Sequence, residues 1–236
     1  MSTPQWHYVA AEDNRRMFSR IAHRYDLLNR VMTFGRDDAW REAAAALAAP
    51  KGCRLALDMA TGTGELAFLL ASRAEQVVAV DISPQMLSIA RAKARGRPRA
   101  GRIQFLLADG LRLPFAADTF DCVATGFALR NVADLELALA EMHRVVRPGG
   151  RVVCLELTRS PFRPLAALHA LCLAGLIPAL GHWLAGDAGA YRFLSTSLSQ
   201  FPDAQQLAKT MRNRGFRRVG YRLYPLWPIA LHVGIK

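Results

Sequence analysis

The chain has few of the residues that mark secreted or metal-binding proteins. Its 236 residues include four cysteines, which lie far apart in apolar sequence and form no C-x-x-C pair. This spacing disfavours a disulfide framework and a cysteine-based metal site, and we expect no metal and free, buried thiols. The first residues also lack the apolar core of a signal peptide, so we expect a cytoplasmic protein.

Acidic residues and lysines are scarce as well. Lys and Arg number 31 against 19 Asp and Glu, a net charge of +12, and only four of the basic residues are lysines. An arginine-rich surface favours anionic partners such as nucleic acid, acidic lipid headgroups or phosphorylated metabolites. Hydrophobic residues, by contrast, make up 52% of the chain. This composition predicts a folded protein, and the length favours one α/β domain.

Strand and helix patterns alternate along most of the chain. We predict strands at 53–58, 77–82, 103–109, 120–129, 151–157, 216–224 and 228–236. Helices are predicted at 41–49, 64–74, 84–94, 134–146 and 203–214. Strand and helix alternation of this kind predicts a parallel sheet with helices on both faces, and the last two strands are expected to pair antiparallel.

Two segments depart from this alternation. Residues 12–32 have the pattern of a basic amphipathic helix, which we place in an arm and helical cap over 1–50, ahead of the main domain at 51–236. Residues 164–186 contain no charged side chain and form the centre of an apolar insertion at about 162–200. Because Pro178 and three glycines interrupt this stretch, a cap over an apolar pocket is favoured over a membrane span.

A glycine-rich loop after the first strand indicates a nucleotide-type cofactor. Gly62 and Gly64 let the backbone approach a ligand, and with Ala67 they also satisfy the permissive dinucleotide fingerprint. A pyrophosphate needs an unopposed positive helix end, yet Glu65 stands in the first turn and residues 59–72 contain no Lys or Arg. The pattern therefore favours S-adenosylmethionine, which carries a cationic sulfonium and amino group, over NAD.

Three acidic residues follow three successive predicted strands. Asp58 is placed to bind the methionine amino group, Asp81 the two ribose hydroxyls, and Asp109 the adenine amino group. The alternative for Asp58 and Asp109 is that each only caps the turn that follows it.

Several segments resemble a known family. The general features of class I S-adenosylmethionine-dependent methyltransferases are found at 58–65, Asp81, 113–121 and 144–150. More specific similarity to the ubiquinone/menaquinone biosynthesis C-methyltransferases is found at 25–40, 126–132, 155–157 and 187–194. The resemblance covers about 17–236 and implies a Rossmann-like fold. That fold has a mostly parallel seven-stranded sheet with an antiparallel last strand, an N-terminal helical cap and an apolar helical insertion.

The resemblance implies methyl transfer from S-adenosylmethionine to a ring carbon of a prenylated benzoquinol or naphthoquinol. Arg130 would stabilise the phenolate form of the acceptor, Tyr25 would position a hydroxyl, and Asp37, where the family usually has histidine, could act as a base. The implied cofactor residues are Asp58, Thr61, Gly62, Thr63, Gly64, Asp81, Ile82, Met86, Asp109, Gly110, Gly126 and Phe127. The implied substrate residues are Asn29, Phe34, Asn131 and Tyr191.

Alternatives remain open at this stage. Arg130 could instead only pair with a carboxylate such as Glu156, and Tyr25 and Trp40 could be packing residues between the amino-terminal helices and the sheet. The acceptor could be a soluble phenolic or polyketide compound, and a nucleic-acid-binding protein of the same fold is a third candidate, although no aromatic stacking platform lies among the basic residues. Contact with anionic lipid at the inner face of the membrane would suit a prenylated substrate. This contact would be made through the basic segment at 12–32 and the loop at 95–102. A second copy of the chain, forming a homodimer, is a further candidate partner.

Overall fold

The computed structural model describes residues 22–23, 26–27, 29–30, 33, 35–159, 164, 197, 201–224 and 226–236. Within them, seven strands form one sheet in the order β3-β2-β1-β4-β5-β7-β6. The strands are β1 (Leu55–Met59), β2 (Gln76–Asp81), β3 (Ile103–Leu107), β4 (Phe120–Gly126), β5 (Val146–Leu157), β6 (Arg217–Tyr224) and β7 (Ile229–Ile235). The helices are α1 (Asp37–Ala48), α2 (Glu65–Ala71), α3 (Pro84–Ala94), α4 (Leu135–Val145) and α5 (Ala204–Asn213).

The pairing of the strands confirms the predicted sheet. Strands β1 to β5 pair in parallel, whereas β7 lies antiparallel to both β5 and β6. The chain runs outward from β1 to β3 and then returns to place β4 on the other side of β1. Parallel sheets bind ligands outside the carboxyl ends of the strands at such a reversal, so the site is expected beyond β1 and β4.

A hydrophobic core covers each face of the sheet. On one face, α1 and α2 bury a set that includes Trp40, Ala44 and Leu70. On the other, α4 and α5 contribute Leu139 and Met211 among others. The ring of Trp40 packs 5.5 Å from that of Trp227, measured between centroids, so the packing alternative for Trp40 is confirmed.

Local geometry moves some element ends away from the predicted positions. Helix α1 begins at Asp37 rather than residue 41, with Asp37 and Asp38 in its first turn, where acidic groups complement the helix dipole. Helix α2 begins one residue after Gly64, whose φ of 89° is left-handed and cannot continue a right-handed helix. Strand β4 ends at Gly126 because Phe127 also adopts a left-handed conformation, with φ of 59°.

Residues 147–150, which lie between the predicted helix at 134–146 and the predicted strand at 151–157, form the irregular first part of β5. The strand starts at Val146, and its register against β4 shifts between the Phe120 and Cys122 pairs. A Cβ added at Gly150 would lie 2.8 Å from the Asp121 carbonyl oxygen, so only glycine fits where the two strands approach. The close approach of β5 to β4 at this point therefore depends on this glycine.

Some predictions concern residues that are wholly or partly outside the described set. Ala22, His23, Asp26, Leu27, Asn29 and Arg30 have helical backbone, but most of the predicted basic helix at 12–32 and of the insertion at 162–200 is not described. Within the described residues, no helix combines the length and hydropathy needed to cross a membrane. Cys53, Cys122 and Cys154 are buried free thiols as predicted, and Cys172 lies outside the described residues.

Candidate functional site

A cleft opens at the carboxyl edge of the sheet, beyond β1, β2 and β4. It encloses about 890 Å³, including open solvent at its mouth. Eight predicted cofactor residues line it: Gly62, Asp81, Ile82, Met86, Asp109, Gly110, Gly126 and Phe127. Asn131, predicted to contact substrate, also lines the cleft. The tertiary structure thus brings together side chains from four separate loops.

Backbone geometry shapes the loop between β1 and α2. Ala60, Gly62 and Gly64 all have positive φ values, of 58°, 56° and 89°. A Cβ at Gly62 would meet nothing within 4 Å, so that side of the loop is open to a ligand. A Cβ at Gly64 would lie 3.2 Å from the Ala90 side chain, so this glycine permits close packing of α3 instead. The two glycines therefore serve different purposes in the same loop.

Asp58 is a buried carboxylate with one unsatisfied oxygen. Only 1% of the residue is exposed, and its Oδ2 accepts a hydrogen bond from Thr61 Oγ1 at 2.6 Å. Its Oδ1 is buried and has no hydrogen-bond partner among the described residues. Burial, with a smaller contribution from the charge of Asp81, raises the pKa of Asp58 to about 7. A cationic ligand group beside this oxygen would remove the cost of burying the charge.

Asp81 connects the glycine loop to the start of α3. Its Oδ2 accepts a hydrogen bond from the Gly62 backbone N–H, and its Oδ1 accepts one from the Ser83 N–H, both at 2.8 Å. Burial raises the pKa of this carboxyl group, although these backbone donors oppose the shift. Each carboxylate oxygen can accept a second hydrogen bond, so Asp81 can hold the loop and contact a ligand hydroxyl in the cleft.

Asp109 occupies a more open part of the same cleft. Its Oδ1 accepts a hydrogen bond from the Leu111 backbone N–H at 2.9 Å, so it caps the following turn, as the alternative interpretation proposed. Asp58 likewise bonds to Thr61 in its own turn. Turn capping and ligand binding are compatible here, because Asp109 lines the cleft and Asp58 retains an unsatisfied oxygen.

The charge of Glu65 is compensated by residues distant in sequence. Lys93 Nζ on α3 lies 2.7 Å from Glu65 Oε1, and Arg97 Nη2 lies 3.4 Å from the same oxygen. The absence of Lys and Arg from 59–72 therefore does not leave the glycine loop acidic. This finding removes part of the electrostatic argument against a dinucleotide, and the unsatisfied oxygen of Asp58 becomes the stronger evidence for a cationic ligand.

Asp37 has partners that occupy both of its oxygens. Its Oδ1 accepts a hydrogen bond from Thr33 Oγ1 at 2.9 Å, and its Oδ2 forms a buried ion pair with Arg41. The Arg41 guanidinium in turn lies 5.3 Å from the ring centroid of Phe127, which lines the cleft. These contacts favour a supporting role for Asp37 over that of a base. Arg41 was not predicted as a site residue, since an arginine in an alanine-rich helix carries no functional signal.

Arg130 forms a buried ion pair with Glu156, the alternative left open by the sequence. Their side chains are 7% and 1% exposed, and Arg130 Nη1 lies 2.5 Å from Glu156 Oε1. The same Nη1 donates a hydrogen bond to the Phe127 carbonyl oxygen at 2.8 Å. Arg130 Nε is buried and finds no acceptor within the described part of the chain. Pairing with Glu156 therefore leaves Arg130 a donor for another group.

The remaining predicted site residues are not all described. Thr61 and Thr63 are buried beside the cleft, and Asn29 is half-buried. The positions of Tyr25, Phe34 and Tyr191 lie outside the described residues. Among the residues described, no group of three or more His, Cys, Asp or Glu side chains could hold a metal ion.

Comparison with known proteins identifies the family. The model of the ubiE/COQ5 methyltransferase family matches residues 8–236. The chain belongs to the ubiE/COQ5 methyltransferase family. The demethylmenaquinone methyltransferase of Thermus thermophilus is 44% identical, over 92% of this chain and 99% of that protein. The ubiquinone/menaquinone biosynthesis C-methyltransferase UbiE of Desulfotalea psychrophila is 40% identical, over 94% of this chain and 89% of that protein.

Solved structures share the fold at low sequence identity. An S-adenosylmethionine-dependent methyltransferase from Thermotoga maritima, described as a possible histamine N-methyltransferase, superimposes with a TM-score of 0.66 at 19% identity. The match covers 94% of this chain and 99% of that one. Together with the family, this similarity makes the chain an S-adenosylmethionine-dependent methyltransferase with the class I fold. The unsatisfied oxygen of Asp58 fits the cationic amino group of that cofactor.

Proposed function

We propose that this methyltransferase transfers a methyl group from S-adenosylmethionine to a ring carbon of a prenylated quinol, either demethylmenaquinol or a benzoquinol precursor. The observation that carries the proposal is a cleft lined by Asp81 and Asp109, together with the buried, unsatisfied carboxylate oxygen of Asp58 in the strand that leads to it, in a chain of the ubiE/COQ5 family. The names of the relatives from Thermus and Desulfotalea support a quinol acceptor.

The residues of the cleft have separate proposed roles toward the methyl donor. Asp58 would bind the amino group through Oδ1, and Asp81 would accept hydrogen bonds from the ribose hydroxyls. Asp109 would bind the adenine amino group, with Ile82 and Met86 as part of the apolar wall. The donor supplies an electrophilic methyl group on a sulfonium. Holding it rigidly accounts for much of the expected rate enhancement, because alignment replaces a bimolecular encounter.

The acceptor needs activation because an aromatic carbon is a weak nucleophile. Ionising the neighbouring hydroxyl moves electron density onto the ring, but a phenol has a pKa of about 10, and lowering that pKa by one unit takes about 1.4 kcal/mol. Arg130 is the proposed group for this purpose, since its Nε can donate to the phenolate oxygen while Glu156 and the Phe127 carbonyl hold the guanidinium in place. Asn131, at the edge of the cleft, would help to position the ring.

A panel of acceptors tests the proposal. Purified enzyme is given labelled S-adenosylmethionine with demethylmenaquinol, a prenylated benzoquinol, their tail-less analogues and soluble phenols. We expect the highest kcat/KM with a prenylated quinol, and the product should carry the new methyl group on a ring carbon. Transfer to soluble phenols alone, or to oxygen rather than carbon, would contradict the proposal and favour a natural-product methyltransferase.

Contact with an anionic membrane surface is part of this proposal. Arg97, Arg99 and Arg102 in the loop at 95–102 also form contacts within the protein, but their guanidinium groups keep their charge. The membrane would be contacted by this loop together with the basic segment that contains Arg15, Arg16, Arg20 and Arg24. We expect co-sedimentation with anionic but not neutral vesicles at low salt. Equal recovery with both would contradict the proposal.

A further inference from the structure

A group of charged side chains joins the amino-terminal part of the chain to the glycine loop. Asp26 Oδ1 accepts a hydrogen bond from Thr63 Oγ1 at 2.6 Å, and Asp26 Oδ2 forms an ion pair with Lys93 Nζ. Lys93 also pairs with Glu65, which in turn contacts Arg97. Two acidic and two basic residues thus form one connected cluster, which we call the loop clamp: Asp26, Glu65, Lys93 and Arg97, with Thr63.

The loop clamp connects three parts of the structure that surround the cofactor site. Asp26 has helical backbone and stands 37 positions before Thr63, while Lys93 belongs to α3. Both oxygens of Asp26 are engaged, one by the loop and one by the helix. A side chain held by two separate elements fixes their relative position, and the hydrogen bonds that involve a charged group are stronger than neutral ones.

Thr63 is the residue of the glycine loop that the loop clamp contacts, through its hydrogen bond to Asp26. It is 3% exposed and lies between Gly62 and Gly64, both of which have left-handed φ values. Glycines give a loop many accessible conformations, so the loop loses more entropy when a cofactor orders it. A partly buried hydrogen bond from its central residue would order the loop before the cofactor arrives and so reduce that cost.

We propose that Asp26 is a positioning residue for the cofactor loop: by holding Thr63 and Lys93, it keeps the Gly62–Gly64 turn in its binding conformation and slows release of S-adenosylmethionine. Asp26 acts through Thr63. The proposal rests on the cofactor of the enzyme and not on the identity of the acceptor.

The test compares Asp26→Ala, Thr63→Val and the double variant. We expect each single change to weaken the affinity for S-adenosylmethionine about fivefold to tenfold by calorimetry, mainly through faster dissociation. The double variant should be no weaker than the worse single variant, because both changes remove the same contact. Turnover of Asp26→Ala at saturating cofactor should stay within about twofold of wild type, so that the effect falls on the KM for the cofactor.

Hydrogen exchange of the cofactor-free protein supplies a readout that does not involve activity. The Gly62 and Gly64 amides are bonded to Asp81 and to the Thr61 carbonyl. Both amides should exchange about fivefold to tenfold faster in Asp26→Ala and in Thr63→Val than in wild type. Arg97→Met is the matched control, since it removes a charge from the same cluster without touching Asp26 or Thr63. It should leave affinity and exchange within about twofold of wild type.

Three results would overturn the proposal: unchanged affinity and exchange in Asp26→Ala, additive losses in the double variant, or an equal loss in Arg97→Met. If Asp26→Ala does not fold, Thr63→Val alone tests the proposal, because valine has nearly the shape of threonine. Unchanged hydrogen exchange of the Gly62 and Gly64 amides in Thr63→Val would then overturn the assignment. Since the affinity and hydrogen-exchange measurements include no acceptor, a failed quinol assay would leave this result intact.

Discussion

The two halves of the carboxyl edge of the sheet differ in how far their buried charged side chains are compensated by partners. At the end of β1, the buried Asp58 has one oxygen without a hydrogen-bond partner among the described residues, and burial raises its pKa to about 7 although the charge of Arg41 opposes the shift. Beyond β4 and β5, Arg130 and Glu156 neutralise each other. An unbalanced carboxylate suits a cationic ligand, whereas a balanced pair that keeps one N–H donor suits a phenolic one. The contrast supports the proposal that donor and acceptor bind at different parts of this edge.

The largest effect is expected at the buried ion pair of Arg130 and Glu156. Removing one member of a buried ion pair leaves the other uncompensated, so Arg130→Met should reduce the free energy of unfolding by about 3–5 kcal/mol. Adding Glu156→Gln removes the remaining charge and should recover at least half of that loss. Turnover should remain about 100-fold below wild type in the double variant, because no donor faces the acceptor oxygen.

Chemical denaturation and single-turnover kinetics of the three proteins distinguish stability from chemistry. Cofactor affinity, measured in parallel, should stay close to wild type in the double variant. Should turnover return together with stability, Arg130 would be a structural residue and the two halves of the edge would differ only in their charge.

The next largest effect is expected at Asp81, at the end of β2. Asp81→Ala removes the acceptor for the Gly62 and Ser83 amides along with the proposed ribose contacts, so S-adenosylmethionine affinity should fall about 100-fold. Asp118→Asn is the control, because Asp118 is exposed and pairs with Lys236. Calorimetry should show wild-type affinity for that control. Equal affinity of wild type and Asp81→Ala would refute the ribose assignment.

A smaller effect follows from the pKa of Asp58. Because binding a cation requires the ionised carboxylate, cofactor affinity should rise about tenfold between pH 6 and pH 8 and release a proton near pH 7. The calorimetric heat should therefore depend on the ionisation enthalpy of the buffer. Asp58→Asn should abolish this dependence, and a wild-type affinity that does not change with pH would contradict the role of Asp58.

The same pKa predicts how stability changes with pH in the cofactor-free protein. The folded pKa of Asp58 lies above its usual value of 3.8, so its contribution to stability is complete below about pH 4 and is lost as the pH rises through 7. Burial moves the pKa of Asp81 in the same direction. The stability of wild type relative to Asp58→Asn should therefore decline between pH 4 and pH 7 in urea denaturation. A relative stability that increases over this range would contradict the assignment.

Short-range signals account for the parts of the fold that were predicted correctly. Helix α3 spans 84–94 as expected, since the Ser83 hydroxyl accepts the Met86 N–H and Pro84 occupies the first turn. Errors occur where one residue leaves the ordinary backbone regions, as at Phe127, which ends β4 earlier than its apolar pattern suggested. Aromatic residues are rare at positive φ, so no propensity rule anticipates that position.

The predictions of site residues also divide into those that the local sequence supports and those that it does not. Loop residues beside Asp58, Asp81 and Asp109 were predicted because acidic groups that end parallel strands must meet at one edge of the sheet. The contacts of Asp26 with Lys93 and of Asp37 with Arg41 were not predicted. Asp26 and Lys93 are 67 positions apart, and nothing in their local sequence indicates that they meet.

The sequence by itself determined the alternation of strands and helices, the glycine loop and the order of the acidic residues along the chain, because these depend on neighbouring residues. Only the tertiary structure decided which charges are compensated. Glu65 and Arg130 acquire partners from distant segments, whereas Asp58 keeps an unsatisfied oxygen. The physical reason is that the energy of a buried charge depends on the groups within a few ångströms of it, which the folded chain brings together from any distance in sequence.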